Sequence, residues 1–269
     1  GSRRINRPSV TNLAPFLYRR HYEVYVVGDP ELEAEYLNNV ELTYDTKIGK
    51  NTLSFTGFYR GTDNAVFRVN TTTTNVENPF VYSVLQENVL IRSYTNAGNS
   101  SAFGAELNAN IDVNSYTKLF IGGSLYNFDI KGDVFGYSVN DNSTNWTLKG
   151  NLNLGFSKEI KFNFDYNVKS KTVTSQGSNG SFSMANVALS FKPENLKGWS
   201  FSLRGLDIFS TNLEGLDTNA FNGAQEQIFY QETEYDRNGP IVELGVSYAL
   251  NMKGKAKKKK EFEGNKHFK

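Results

Sequence analysis

Residues 145–156 read NWTLKGNLNLGF, and residues 161–169 read KFNFDYNVK. In the first run Trp146, Leu148, Leu152, Leu154 and Phe156 share one parity, with Gly150 among them, and Thr147, Lys149, Asn151 and Asn153 share the other. In the second, Phe162, Phe164, Tyr166 and Val168 alternate with Lys161, Asn163, Asp165, Asn167 and Lys169. Side chains of a strand alternate between faces, so each run has one apolar and one strongly polar side. The short gap 157–160 makes the two a hairpin. Trp146 and Phe156 stand ten residues apart. At about 3.3 Å per residue and a tilt of about 40°, that strand climbs about 25 Å, the height of the apolar band of a membrane barrel. Strands of soluble sandwiches run only about 5–6 residues.

The same alternation recurs on both sides of this hairpin. Val40, Leu42 and Tyr44 alternate with Glu41, Thr43 and Asp45, and Leu53, Phe55 and Tyr59 follow suit. Ala105, Leu107, Ala109 and Ile111 alternate with Glu106, Asn108, Asn110 and Asp112; Val242, Leu244, Val246 and Tyr248 close the series. Looser strands read at 118–130, 181–191 and 199–210, and 88–113 reads as one long strand kinked near Gly98. Connections fall into two classes. Those near 49–51, 114–117, 157–160 and 192–198 are short; those near 71–86, 131–143, 171–180 and 211–238 are expected to be long polar loops. Short turns at one end and long loops at the other is the layout of an outer-membrane barrel, with the short turns in the periplasm.

Composition agrees with strands. Of 269 residues, 20 are Phe, 15 are Tyr, 32 are Asn and only 6 are Pro, a balance that favours strands and polar connections over helices. The chain has no cysteine, which excludes a disulfide scaffold and a cysteine nucleophile. The net charge of +1 argues against a nucleic-acid partner. No apolar run approaches the length of a membrane-crossing helix. The N-terminus, Gly1-Ser2-Arg3-Arg4, has no apolar stretch behind its charges, as expected of a fragment or of a chain whose leader has been removed. Residues 253–269 carry eight Lys and two Glu, a charge of +6. They are expected to be a disordered basic periplasmic tail behind a barrel portion at 1–252.

Several short elements resemble the barrel of TonB-dependent receptors and the related outer-membrane β-barrel family. Ser2-Arg3-Arg4-Ile5-Asn6-Arg7-Pro8-Ser9 is similar to a signature of that family, and Gly28-Asp29-Pro30-Glu31-Leu32-Glu33-Ala34-Glu35 stands where a segment like GNPNLKPE follows it. There Asp29, Glu31, Glu33 and Ala34 replace two asparagines, a lysine and the proline. Asn96-Ala97-Gly98 followed by Gly104-Ala105-Glu106-Leu107, and Asp207-Ile208-Phe209-Ser210-Thr211, match further elements, and Asn238-Gly239-Pro240 opens the final strand. The resemblance implies an all-β, antiparallel up-and-down transmembrane β-barrel of which this chain supplies about ten strands, the C-terminal part of a wall of about 22. It also implies partners: outer-membrane lipid, an upstream plug and first barrel half, the TonB complex, and an extracellular nutrient such as a glycan, siderophore or peptide.

Nothing in the sequence points to catalysis, a cofactor or a metal. His21 is the lone imidazole outside the tail, between Arg20 and Tyr22, with no nucleophile beside it. Asp29, Glu31, Glu33 and Glu35, or Asp133 with Asp141, lack the spacing of a calcium loop and read as charged loops. No ligand-binding residue is singled out; the four long connections are expected to form the capture surface. Two other readings stay open: a small passive pore, in which the polar row from Lys149 to Lys169 lines water, and a soluble β-rich binding module.

Overall fold

The computed structural model describes residues 1–21, 24–72, 89–222 and 224–250. Among them run the strands β1 (Ser2–Asn6), β2 (Tyr18–His21), β3 (Val24–Val26), β4 (Glu35–Ile48), β5 (Asn51–Thr72), β6 (Leu90–Asp112), β7 (Thr117–Val134), β8 (Tyr137–Gly155), β9 (Ile160–Lys169), β10 (Thr172–Thr174), β11 (Gly177–Asn179), β12 (Phe182–Phe191), β13 (Trp199–Leu206), β14 (Leu213–Phe221), β15 (Gln227–Asp236) and β16 (Ile241–Tyr248). One four-residue helix, α1 (Val10–Leu13), is capped by the Ser9 side chain.

Ten strands form a curved wall in the order β1-β4-β5-β6-β7-β8-β9-β12-β13-β16. Every neighbour pair in it is antiparallel, as an up-and-down meander requires. Among the described residues β1 and β16 each pair on one side only, so the wall is open. A second sheet, β10-β11-β14-β15, lies outside this path, and β3 pairs with β2 and, in parallel, with β6.

The register shows why the alternation matters. Leu148 faces Val168, Leu152 faces Phe164 and Leu154 faces Phe162 across β8 and β9. Leu119 then faces Leu152, Leu189 faces Phe162, and Leu203 faces both Leu189 and Leu244. The apolar parity is continuous across the wall and lies on its outer side. These side chains have no protein core: Leu42 is 80% exposed, Phe103 70% and Leu244 83%. In water that band would be strongly unfavourable; in hydrocarbon it is the solvent-matched surface. Aromatic rings gather at the short-turn rim, where Trp199 stands 5.0 Å from Tyr248 and 6.2 Å from Phe201. Such rings suit the membrane–water boundary.

One register row, Tyr59–Phe103–Asn127–Thr144, marks the other boundary. Beyond it the apolar parity changes face. Asp129, Lys131 and Asp133 now hold the outer parity of β7, while Phe128, Ile130 and Val134 hold the inner one. β5 and β6 make the same switch through irregular pairing between Thr62 and Val66. Gly98 sits at this level with φ +152 and pairs with Gly132; a Cβ on Gly132 would strike the Ala97 backbone, so the close approach needs glycine. Above the row the inward apolar side chains make a buried cluster of Val69, Ala97, Ile130, Val134 and Val139.

The expected long loops at 131–143, 171–180 and 211–238 are therefore corrected. β7 and β8 run on to a two-residue turn, Phe135-Gly136, both with positive φ, and Asp133 accepts a hydrogen bond from the Gly136 N–H at 2.8 Å. The left-handed pair matches the twist of a tight hairpin. Residues 172–179 and 213–236 form the hairpins β10–β11 and β14–β15. The upper part of β7 and β8 fails to look like a strand because it is wet on the side that faces lipid in the band. Of the expected loop 71–86, Thr71 and Thr72 end β5; residues 73–86 and the tail 253–269 lie outside the described residues.

Candidate functional site

The inner face of the wall is polar, and many of its side chains pair with one another. Asn163 donates to Asn153 at 3.0 Å, Asn167 to Asp165 at 2.8 Å, and the hydroxyls of Ser124 and Thr147 meet at 2.7 Å. Arg60 binds Glu41 at 2.9 Å and lies 4.3 Å from the Phe58 ring centroid. Phe58 in turn packs 6.1 Å from Tyr126, with Gly104 between them in register. A Cβ on Gly104 would meet the Tyr126 backbone and Cβ, so glycine lets the aromatics lie on the wall. The row expected to line a lumen, Lys149 to Lys169, lies on this face.

Above the boundary row, the hairpins expected as capture loops fold against the extended wall. Gln176 holds them there. β5 continues past Asp63, the last residue that pairs with β4, and so exposes a free edge. The Gln176 amide accepts from the Asn70 N–H at 2.6 Å and donates to the Asn70 carbonyl at 2.8 Å. One side chain thus stands in for a partner strand on an edge that would otherwise be sticky. Tyr137 stacks on Phe221 with ring centroids 4.6 Å apart, joining the tip of the β7–β8 hairpin to β14. Asp217 accepts from Lys171 and Ser178, each at 3.0 Å. The Lys171 ammonium, with help from the Ser178 hydroxyl, holds the Asp217 carboxyl below the usual carboxylate range. A cleft of about 410 Å³ remains between the hairpin and the wall, floored by Phe67, Phe128 and Ile130 and roofed by Val173 and Gln176.

The elements that carry the family resemblance are joints of the fold. Glu35 bridges the end of β1 to the free edge of β5, accepting from Asn6 Nδ2 at 2.6 Å and from the Val66 N–H at 2.7 Å. A Cβ on Gly28 would meet Ala14 and Asn12 backbone atoms at 2.6 Å. Asp207 accepts from the Thr211 and Asn212 N–H groups at 3.0 and 3.1 Å, closing the turn that launches β14. Of the acidic residues weighed for calcium, Asp29 accepts from the Glu31 N–H at 2.9 Å, and Asp133 caps its hairpin. Among the described residues no group of His, Asp and Glu side chains is placed to hold a metal. His21 ends β2. The sequence reading missed Gln176, whose role is invisible locally because its partner Asn70 lies 106 residues away.

Comparison with known proteins adds the following. No curated protein matches the chain by sequence. The fold is similar to that of the siderophore receptor PirA from Pseudomonas aeruginosa, with a TM-score of 0.55 and 15% identity over 77% of this chain and 35% of that one. A variant of the ferric enterobactin receptor from the same bacterium, in complex with enterobactin, gives a TM-score of 0.51 and 15% identity over 91% of this chain and 37% of the receptor. The chain therefore spans little more than a third of either receptor's length. At such identity the likeness carries the fold alone. The profile of the outer membrane protein β-barrel family matches residues 1–248. An oily outside, a polar inside and a family match along nearly the whole length agree: the chain belongs to the outer membrane protein β-barrel family and resides in the bacterial outer membrane.

Proposed function

We propose that this chain is the C-terminal part of the wall of a TonB-dependent receptor that takes up a scarce or large nutrient, such as a siderophore, glycan or peptide. One observation carries the reading: a ten-strand wall with a polar inner face is open at β1 and β16. Unpaired strand edges in hydrocarbon cost several kcal/mol per unsatisfied group, so such a wall calls for further strands to close it. The similar receptors are longer chains, of which this one covers little more than a third. In this reading the inner asparagines and the Arg60–Glu41 pair face a plug, and the hairpins at 171–180 and 211–238 present the capture surface together with the β7–β8 hairpin. The basic residues 253–269 follow the last strand into the periplasm. The work is binding and passage, with no catalytic step.

The test begins with the reading frame upstream of Gly1. The receptor reading requires codons for a plug-like domain and about twelve more amphipathic strands there. A deletion strain should then lose growth on one scarce nutrient, and loss of the energy-coupling protein should reproduce that defect. A signal peptide directly before Ser2, or a steady ionic current from the isolated chain in liposomes, would instead establish a small passive pore.

A further inference from the structure

The loop end of the wall gathers arginines without matching carboxylates. A pocket of about 340 Å³ there is lined by Asn6, Arg7, Asn12, Glu35, Arg68 and Tyr94. Arg68 is in register with Tyr94 across β5 and β6, and Arg92 lies one same-face pair further on, opposite Asn70. Arg92 is half-buried, and its Nε donates to Asn70 Oδ1 at 3.2 Å, which fixes the guanidinium plane. On the same side, β3 places Val26 beside Arg92, and β2 brings in Arg20. Burial first, then the like charges of Arg68 and Arg20, hold the Arg92 pKa below its ordinary value. Among the described residues none of Arg7, Arg20, Arg68 and Arg92 makes an ion pair with a carboxylate. Glu35, the one acid in the pocket, is committed to Asn6 and the Val66 N–H.

The backbone adds a donor. The free edge of β5 is filled at Val66 by Glu35 and at Asn70 by Gln176. Along a strand every second N–H leaves on the same edge, so the Arg68 N–H, between those two, also points out of it. Among the described residues no acceptor outside the ladder meets it.

We propose that Arg7, Arg68 and Arg92, with Arg20 beside them, form a binding site for a multiply charged oxyanion at the loop end of β5. The planar forks of the arginines suit the paired oxygens of phosphate or carboxylate groups, and the Tyr94 ring supplies a flat wall beside them. The site lies beyond the boundary row, on the face opposite the Val69 cluster. Two sources present this chemistry there: phosphate groups of lipopolysaccharide, and an anionic solute. The site does not depend on the receptor reading, and its failure would leave that reading standing.

The test uses the complete protein in detergent micelles at low salt, with pyrophosphate titrated by calorimetry. Saturable binding is expected, weakened at least about ten-fold in Arg68→Gln/Arg92→Gln, while Arg204→Gln stays within about two-fold. Arg204 is a fit control because it is tied to Glu243 across β13 and β16, away from this end of β5. Folding of each variant is checked by heat-modifiable mobility on gels; if the double variant does not fold, Arg68→Gln alone is compared with Arg68→Lys, which keeps the charge. Absence of saturable binding at millimolar pyrophosphate, or equal binding by the arginine-to-glutamine variants, overturns the proposal. Competition by purified lipopolysaccharide assigns the source to the lipid; binding that lipopolysaccharide leaves unchanged assigns it to a solute.

Discussion

The same four strands, β5 to β8, pass through two solvents and are built by opposite rules in each. Within the band, Phe103 is 70% exposed and Leu125 60%; above the row Tyr59–Phe103–Asn127–Thr144, Val69 is 0% exposed and Val139 2%. Below, oily side chains point out to lipid and polar ones line the inside, many of them paired with each other. Above, charged side chains point out to water and oily ones make a core. The strands need not end at the membrane, since β5 and β6 run 22 and 23 residues, roughly twice what the band requires. What changes is the phase of the alternation, and the place where it changes locates the membrane surface. By contrast β13 and β16, with 8 residues each, stay near the band. The material between the shorter strands folds back as hairpins that cover the inner face of the taller ones.

The strongest way to break this contrast is to move one charge along the wall. Leu152→Arg places a guanidinium near mid-band and should destabilise the inserted protein by about 2–4 kcal/mol. Phe103→Arg, in the boundary row, should cost only about 0–1 kcal/mol, and Asn127→Arg in the same row should be nearly silent. Asn151→Arg, at mid-band but on the inner face, should also be tolerated. Urea unfolding in lipid vesicles measures the series. Equal losses for Leu152→Arg and Asn127→Arg would mean that the boundary has been drawn at the wrong row.

This contrast also explains how far the residues alone could be read. Trp146 to Phe156 and Phe162 to Val168 announce a membrane wall because a single solvent acts along their whole length. Nine of the ten wall strands were legible from alternation of this kind, tight or loose, whereas β1 was marked only by the family resemblance of Ser2 to Ser9. Residues 131–143 were misread because the apolar parity reverses at Phe128: Ile130, Val134 and Val139 continue an alternation, but on the other face. A search for the outward row loses the strand where water begins. The hairpins at 172–179 and 213–236 were illegible for another reason. Their strands are short and polar, and what holds them is remote, as with Gln176 on Asn70 and Tyr137 on Phe221. Similarly, the arginine site draws on residues 7, 20, 68 and 92, which only the topology brings together.

A second way to sharpen the comparison is to damage the upper layer alone. Val69→Ala removes two buried methyl groups and should cost about 2 kcal/mol. The loss should be confined to the layer above the boundary: faster proteolysis at 171–179, with unchanged heat-modifiable mobility of the barrel. Gln176→Leu keeps most of the bulk but leaves the Asn70 N–H and C=O without their partner, at about 1–3 kcal/mol. Faster hydrogen exchange at the Asn70 amide would show it directly. Should either change lower the stability of the membrane band to the same extent, the two layers form one cooperative unit and the contrast is only of composition.

The smallest effect expected is electrostatic, and it distinguishes the layers by pH. Asp217 ties Lys171 and Ser178 together above the boundary, and its carboxyl is held below the usual carboxylate range. A depressed folded pKa stabilises the folded form fully above the unfolded value of about 3.9, and that contribution is lost as pH falls through the folded value. The β11–β14 pairing should therefore hold constant from neutral pH down to about pH 4 and loosen only below it. Asp217 is half-buried and Lys171 exposed, so water and salt screen the pair and the change should be modest. Pepsin cleavage between about pH 5 and about pH 3, compared in the wild type and in Lys171→Met, isolates the contribution. Lys171→Met should flatten the profile; a hairpin that grows more resistant as pH falls, or an unaltered profile in the variant, would show that the link between Lys171 and Asp217 does not hold the layer.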